Sequence, residues 1–169
     1  DGACVLPMSG GVGAQYTPVV GWAQALKYRQ RVLKEDDAKG CMAVALGGDA
    51  STATNGFWSA LNISTTQKLP VLFYIEDNGY GISVPSSFQT PGGNIAANLA
   101  SFNGLKIFDG SGSDPREAAE LLLQASEWVR GGKGPALLRL VVPRLNGHSG
   151  QDTQAYKSDA QIESERQDD

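Results

Sequence analysis

The chain has 169 residues, of which 41% are hydrophobic and 19% are charged, an ordinary balance for one globular domain. Its formal net charge of −4 gives no basic surface for nucleic acid, and no apolar run approaches the roughly 20 residues that span a bilayer. We therefore expect neither nucleic acid nor a membrane as a partner, and we expect small-molecule chemistry instead.

The first predicted element is a helix from Thr17 to about Leu33. Thr17 can cap this helix, and Pro18 suits its first turn. Apolar residues recur along it at helical spacing, so one stripe can face a sheet. The stripe consists of Val19, Trp22, Ala23 and Leu26.

Two predicted strands follow, MAVAL at residues 42–46 and VLFYI at residues 71–75. Each is a short apolar run that ends in Gly, Asp or Asn, which is the pattern of a strand buried on both faces. Residues 54–66 between them carry enough apolar side chains for a crossover helix. The three segments together predict a strand, helix, strand unit.

The second half of the chain continues the alternation. LKIF at residues 105–108 predicts a third strand, Asp114-Pro115 opens a helix that Gly131-Gly132 ends, and ALLRLVV at residues 136–142 predicts a fourth strand. Strands that alternate with helices indicate an α/β fold with a doubly wound parallel sheet covered on both faces.

The candidate chemistry lies in the loops that follow the first two strands. In open parallel sheets ligands bind at the carboxyl ends of the strands, and a single crossover places both loops at the same edge. Asp49 follows the first strand and Asn78 the second. A carboxylate and an amide oxygen suit Mg²⁺, which completes its shell with phosphate oxygens and water. The glycines before Asp49, and the free amides of residues 51–54 at the next helix start, favour a phosphate group there.

Each loop also has a plainer interpretation. Gly-Asp after a strand is often a turn with a helix cap, and Asn-Gly is a common turn dipeptide. The metal interpretation depends on their occurring together, because they close two successive strands at a spacing that one crossover helix fills.

Three segments of the chain resemble segments of the alpha subunits of thiamine-diphosphate-dependent 2-oxo acid dehydrogenases, the decarboxylating component. They occur in the same order along the chain as in that family. Residues 47–83 resemble the family's thiamine diphosphate motif, in which a Gly-Asp-Gly element is followed, after a helix and a strand, by an Asn-Asn pair. Residues 9–29 resemble the segment Gly-x-Val-Gly-Ala-Gln-x-Pro. Residues 143–158 resemble a segment that begins Arg-x-x-Gly-His-Ser and continues with an Asp and then a Tyr-Arg pair. The resemblance implies the thiamine diphosphate-binding fold for residues 1–157, followed by a polar, acidic C-terminal segment at residues 158–169.

The resemblance also implies two cofactors, thiamine diphosphate and Mg²⁺, and the residues that hold them. The metal ligands would be the side chains of Asp49 and Asn78 and the carbonyl of Tyr80. Arg144 would supply positive charge to the diphosphate. The full set of implied cofactor-binding residues is Gly10 and Val12 at the aminopyrimidine, with Gly48, Asp49, Ala50, Ser51, Asn78, Tyr80 and Arg144 at the diphosphate and its metal ion.

His148 is the implied catalytic residue. It is the single histidine of the chain, and its unperturbed pKa near neutrality lets it donate or accept a proton near the substrate. Its plainer interpretation is a solvated loop histidine.

Three positions depart from the family pattern. Ala50 stands where Gly is usual, Asp77 replaces the first Asn of the Asn-Asn pair, and Lys157 stands where Arg is common. Neither Ala50 nor Asp77 removes a metal ligand, so we expect binding to survive them.

The implied function is that of the alpha-type subunit, which decarboxylates a 2-oxo acid and passes the acyl group to lipoyl. Three partners follow: a beta-type subunit that supplies the pyrimidine-activating Glu, a lipoyl-bearing acyltransferase component, and the 2-oxo acid substrate. Relatives assemble as two alpha and two beta chains, and we expect this chain to be inactive alone. Pyruvate and branched-chain acids both remain open, with Gln154 to Lys157 leaning toward the branched-chain type.

Two alternatives stay open at this point. One is another thiamine diphosphate enzyme of transketolase-like or acetolactate type, against which the His148 segment argues. The other is a non-catalytic or orphaned fragment that acts as a binding module. The chain begins at Asp1 without a methionine, which suggests a partial polypeptide.

Cysteine usage bears on the compartment. Cys4 and Cys41 form neither a CxxC pair nor a dense framework, which favours a reducing setting, although a disulfide between them remains open. We expect the cytoplasm for a bacterial-type chain or the mitochondrial matrix for a eukaryotic one.

Overall fold

A computed structural model describes residues 3–7 and 9–168 of the chain. Its strands are β1 (Ala43–Gly48), β2 (Val71–Asp77), β3 (Tyr80–Gly81), β4 (Val84–Pro85), β5 (Lys106–Ser111) and β6 (Ala136–Val141). Four of them form a parallel sheet in the order β1-β2-β6-β5, and β3 and β4 form a short antiparallel hairpin after β2. The predicted parallel sheet is therefore confirmed.

The helices are α1 (Tyr16–Tyr28), which continues as a π-helical turn over Arg29–Leu33, α2 (Asn55–Gln67), α3 (Ile95–Asn98), α4 (Pro115–Arg130) and α5 (Asp159–Gln167). Thr54 caps α2 by accepting the Phe57 N–H, and Asp114 caps α4 by accepting the N–H groups of Arg116 and Glu117. Both helices lie where the sequence predicts them, since their caps are local signals.

Helices cover both faces of the sheet. Residues of α1, α2 and α3 pack with β1, β2 and β6 in one apolar core, and α4 packs with β2 and β6 in a second core on the other face. The larger core is centred on Phe57, which is fully buried and meets Tyr16 and Phe73 edge-on at ring-centroid distances of 5.2 and 5.8 Å. This double cover is what the term doubly wound describes.

The predicted start and apolar stripe of the first helix are wrong in detail. The helix begins at Tyr16, so Thr17 lies inside the first turn and does not cap it. Its buried residues are Tyr16, Val20 and Ala23, while Trp22 is 48% exposed. The helix is rotated because the Tyr16 ring is anchored in the aromatic core, an interaction that helical periodicity alone does not reveal.

The expectation that the first strand is buried on both faces is also wrong. β1 is an edge strand, and its Val44 and Leu46 side chains are 40% and 61% exposed. These residues lie on the face that α4 covers elsewhere, but α4 packs against β2, β5 and β6. An apolar run thus indicates a strand without indicating what covers it.

Cys4 and Cys41 are free and exposed.

Within the described part of the chain, none of the helices combines the length and the apolar character that crossing a membrane requires.

Candidate active site at the carboxyl edge of the sheet

Asp49 and Asn78 leave two neighbouring strands at the same edge of the sheet. β1 and β2 are parallel and paired in register, with Gly48 opposite Glu76. Asp49 is the first residue after β1, and Asn78 is the first residue after β2. The strand pairing therefore brings the two residues to the same edge of the sheet, as one crossover between adjacent strands requires.

Asp49 is a buried carboxylate with an unsatisfied oxygen. The residue is 4% exposed, and its Oδ2 atom has no hydrogen-bond partner. Burial raises the pKa of Asp49 above its ordinary value, the nearby Asp77 carboxylate raises it further, and the backbone amides of Asp49, Asn78 and Ala50 oppose the increase. A buried carboxylate oxygen without a donor is costly, and a bound cation would satisfy it.

The loop after β2 is shaped by two consecutive side-chain turns. Asp77 Oδ1 accepts the Gly79 N–H at 3.0 Å, and Asn78 Oδ1 accepts the Tyr80 N–H at 3.1 Å. Gly79 has φ +78°, a left-handed conformation that favours glycine. These turns fix the backbone from Asn78 to Tyr80, which carries the amide and carbonyl oxygens expected to bind metal.

The short helical turn after β1, Asp49–Ala53, is locked to the protein interior. The Ser51 hydroxyl lies 2.6 Å from the Gly48 carbonyl and 2.5 Å from the Tyr16 hydroxyl, and burial raises the pKa of Tyr16 to about 12. A Cβ at Gly47 would collide with both hydroxyl oxygens, so only glycine fits there. Ser51 is 4% exposed and its hydroxyl is engaged, so its side chain is not free to contact a diphosphate.

Arg144 is buried against a pair of aromatic rings that contact each other, with ring centres 5.5 Å apart. Its guanidinium carbon lies 5.5 Å from the Tyr80 ring centre and 5.8 Å from that of Tyr156, and Arg144 pairs with Asp152 at 3.3 Å. An open groove of about 510 Å³ lies beside it and is also lined by Asn78, Val141 and Glu165. Arg144 thus reaches the same groove as a candidate metal ligand.

His148 lies in the exposed loop between β6 and α5. Its backbone N–H donates to Asp152 Oδ2 at 2.7 Å, and the same oxygen accepts the Tyr156 hydroxyl at 2.9 Å. The other oxygen of Asp152 accepts the Gln154 N–H at 2.9 Å. Asp152 organises this loop, a role that the sequence did not reveal, although the resembling family segment also has an Asp after Gly-His-Ser.

Gly10 and Val12 lie in the segment that leads into α1, and the Val12 side chain is 68% exposed. Gln15, three residues further on, donates from Nε2 to the Leu46 carbonyl at 2.8 Å. Gly13 packs so closely on Thr54 that a Cβ there would overlap the threonine side chain. This segment is therefore attached to the carboxyl edge next to β1.

The Dehydrogenase E1 component family model matches residues 1–169, the whole chain. The chain belongs to this family. The match confirms the resemblance drawn from the three sequence segments, and the parallel sheet with helices on both faces is the thiamine diphosphate-binding fold expected for an E1 component.

Similar E1 proteins are named for two kinds of substrate. The pyruvate dehydrogenase E1 component subunits alpha of Staphylococcus epidermidis and Zymomonas mobilis are 30% and 33% identical over 160 and 154 residues. The 3-methyl-2-oxobutanoate dehydrogenase subunit alpha of Mycobacterium tuberculosis is 31% identical over 163 residues. The alignments cover 93%, 91% and 95% of this chain but 41% of each relative, so the chain spans about two fifths of their length.

The C-terminal helix of this E1 family member contacts the candidate site, a feature that the sequence did not reveal. Gln161 Nε2 donates to the Tyr80 hydroxyl at 2.6 Å. Lys157 is 7% exposed, donates to the Arg144 carbonyl at 3.1 Å and pairs with Glu165. α5 thus braces two residues of the site from outside the sheet.

The oxygen groups at this edge suit a hard divalent cation. Asp49 offers a carboxylate, Asn78 an amide, and Tyr80 a backbone carbonyl, a set with one protein carboxylate such as Mg²⁺ commonly uses. Within residues 3–7 and 9–168 there is no cluster of three His, Cys, Asp or Glu side chains that would hold a metal ion. A metal at the Asp49 edge would therefore draw on amide, carbonyl and ligand oxygens.

Proposed function

We propose that this chain is the diphosphate-binding part of the alpha-type subunit of a thiamine-diphosphate- and Mg²⁺-dependent 2-oxo acid dehydrogenase. The observation that carries the proposal is the buried Asp49 carboxylate, with one oxygen unsatisfied, beside Asn78 at the carboxyl edge of the sheet. The family membership supports the E1 assignment. The metal, the reaction and the partners are our inference from the site.

The strand-tip residues would hold the cofactor through its metal ion. Asp49, Asn78 and the Tyr80 carbonyl would bind Mg²⁺, with phosphate oxygens completing its shell. The backbone amides of Gly48, Ala50 and Ser51 would face the diphosphate in the manner of a helix N-terminus. Arg144 would add positive charge, and its contacts with the Tyr80 and Tyr156 rings and its ion pair with Asp152 would hold its guanidinium in place.

Gly10 and Val12 would line the aminopyrimidine end of the site. Their segment is attached to the edge near β1 through Gln15. When bound, thiamine diphosphate supplies the carbon nucleophile and the electron sink for decarboxylation. The protein's part is to bind, to orient and to exclude water.

His148 would hold or release a proton near the substrate. Its side chain lies in an exposed loop whose backbone Asp152 fixes, so the imidazole is accessible to a substrate. A beta-type subunit would supply the pyrimidine-activating Glu, and a lipoyl-bearing acyltransferase component would take the acyl group. The substrate would be a 2-oxo acid of the pyruvate or branched-chain type, because relatives of both names match equally well. The compartment would be the bacterial cytoplasm or the mitochondrial matrix.

Calorimetric titration tests the proposal. Thiamine diphosphate is titrated into the full protein with and without Mg²⁺, and we expect binding that requires the metal. Asp49→Ala should weaken this binding at least 100-fold. Loss of a residue that only contacts a metal ligand costs about 10- to 100-fold in affinity, and Asp49 would bind the metal directly. Asp36→Ala is the matched control, because it removes an exposed carboxylate at the opposite end of β1. Unchanged metal-dependent binding in Asp49→Ala would refute the metal assignment.

An activity assay separates the proposed enzyme from the alternatives. With a beta-type chain added, we expect turnover of a 2-oxo acid and none of sugar phosphates. Turnover of sugar phosphates would favour a transketolase-like enzyme. Absence of any binding heat at millimolar thiamine diphosphate would favour a non-catalytic binding module.

A further inference from the structure

Arg139 links three strands at the edge where the candidate site lies. It projects from β6 and is flanked by a carboxylate from each neighbouring strand. Its Nε donates to Asp77 Oδ2 on β2 at 2.6 Å, and its Nη1 donates to Asp109 Oδ1 on β5 at 2.8 Å. The Arg139 and Asp77 side chains are 11% and 5% exposed, so this pair is shielded from solvent.

Asp77 is directly coupled to the candidate metal ligands. It precedes Asn78 in the chain, and its Oδ1 accepts the Gly79 N–H while its Oδ2 is held by Arg139. The two oxygens of one side chain thus connect Arg139 to the turn that carries Asn78 and Tyr80. Any rotation of the Asp77 carboxyl would release that turn.

Asp77 is also the position at which this chain departs from the Asn-Asn pair of the family motif. A carboxylate there places a second buried acidic side chain, besides Asp49, at the carboxyl edge of the sheet. A buried charge without a partner is strongly destabilising. The guanidinium of Arg139 supplies that partner at a distance of one hydrogen bond.

We propose that Arg139 is a positioning residue for the candidate Mg²⁺ and diphosphate site, acting through Asp77. By holding Asp77 Oδ2, it keeps the second carboxylate away from the cation and fixes the Asn78–Tyr80 turn in its ligand geometry. The metal part of this inference rests on the function proposed above. Asp109, which is 35% exposed, steadies the guanidinium from the other side.

Metal titration of four forms of the full protein tests the proposal. The forms are wild type, Arg139→Met, Asp77→Asn and the double variant, titrated with Mn²⁺ in the presence of thiamine diphosphate. Arg139→Met keeps most of the side-chain length and removes the charge, so we expect about 10-fold weaker metal binding. If Arg139 acts through Asp77, removing it should have no further effect once residue 77 is asparagine, so Asp77→Asn and the double variant should bind metal within about 3-fold of each other.

Amide hydrogen exchange provides a readout that needs no metal. In the metal-free protein, exchange at Gly79 and Tyr80 should be about 10-fold faster in Arg139→Met than in wild type, and the double variant should exchange at the rate of Asp77→Asn. Arg130→Met is the control, because Arg130 donates to the Gly40 carbonyl at the opposite end of the sheet.

The outcomes separate this inference from the proposed function. If Arg139→Met lowers the melting temperature but leaves metal affinity and local exchange unchanged, Arg139 is a structural link only and the inference is wrong. If the double variant binds metal much more weakly than Asp77→Asn alone, the coupling through Asp77 is wrong. If wild type itself binds no divalent ion, the proposed function and this inference both fail.

Discussion

Asp49 and Asn78 follow directly from two paired strands, whereas His148 lies in a loop between β6 and α5 that no strand pairing supports. The strand-tip region, residues 47–51 and 77–80, is built on the buried core and is fixed by backbone register. The His148 loop, residues 143–157, is held by the Asp152 carboxylate, which accepts the backbone N–H groups of His148 and Gln154 and the Tyr156 hydroxyl. The two regions therefore have different sources of order.

The difference has a consequence for function. A metal and diphosphate site benefits from oxygen ligands that are in place before the ligand binds, because less ordering is then required on binding. A loop that borders a groove has to admit and release substrate, so a lower local stability is compatible with its role. The distribution of order in this chain matches the two tasks proposed for it.

The largest expected effect comes from removing the support of the strand-tip region. Phe57 is fully buried between Tyr16 and Phe73, so Phe57→Ala should lower the free energy of unfolding by about 4 kcal/mol. Phe88 is 82% exposed, and Phe88→Ala should change stability little. Guanidinium denaturation followed by circular dichroism measures both. A loss below about 1 kcal/mol in Phe57→Ala would contradict the described core.

The next effect acts on the strand tip itself. Gly47→Ala places a methyl group against the Tyr16 and Ser51 hydroxyls and should cost about 2 kcal/mol. Gly21 is the matched control, since it lies inside α1 with nothing near its missing Cβ, and Gly21→Ala should stabilise the protein by about 0.5–1 kcal/mol. Equal denaturation midpoints for the two variants would show that the turn after β1 is less closely packed than described.

A third change should raise stability while abolishing metal binding. The pKa of Asp49 is higher in the folded protein than in the unfolded chain. Between these two pKa values the folded protein still holds a proton that the unfolded chain has released, so stability falls as the pH rises through this range. Asp49→Asn removes this loss and should stabilise the metal-free protein by about 1 kcal/mol at neutral pH. The gain should vanish below the ordinary pKa of an aspartate, where both states are protonated. Denaturation at several pH values measures it, and a gain independent of pH would contradict the assignment.

Much of the fold was predictable because its signals are local. The caps Thr54 and Asp114, the apolar strand runs and the glycines after α4 each act over a few residues. The rotation of α1 was not predictable, since it depends on where the Tyr16 ring packs. The exposure of Val44 and Leu46 depends on which strands α4 covers, and this cannot be predicted from the residues of β1.

The candidate site divides in the same way. Asp49 and Asn78 could be placed at one edge because a crossover between adjacent parallel strands leaves no other arrangement. The pairing of Arg139 with Asp77, 62 positions apart, joins strands whose adjacency the sequence does not state. The packing of Gln161 on Tyr80 across 81 positions is similarly hidden. Side-chain contacts between distant segments follow from the fold and become visible once the strand order is known.

The smallest effect on overall stability should come from the His148 loop, and it sharpens the contrast between the two regions. Asp152→Ala removes the acceptor of the His148 and Gln154 N–H groups, so exchange of these amides should rise by roughly 10-fold while that of Gly79 stays unchanged. Tyr156→Phe is the control, because it removes one donor to Asp152 and leaves both amide acceptors in place.

Acidification should imitate this variant in the wild-type protein. The backbone N–H groups of His148 and Gln154 hold the pKa of Asp152 below its ordinary value, and the His148 N–H has the larger effect. The stabilisation is therefore present above the unfolded-state pKa and is lost as the pH falls through the lowered folded-state pKa. Exchange at His148, corrected for its intrinsic pH dependence, should rise in that acidic range and not above it. If Gly79 loosens together with His148 in Asp152→Ala, the two regions are one cooperative unit and the contrast drawn between them is wrong.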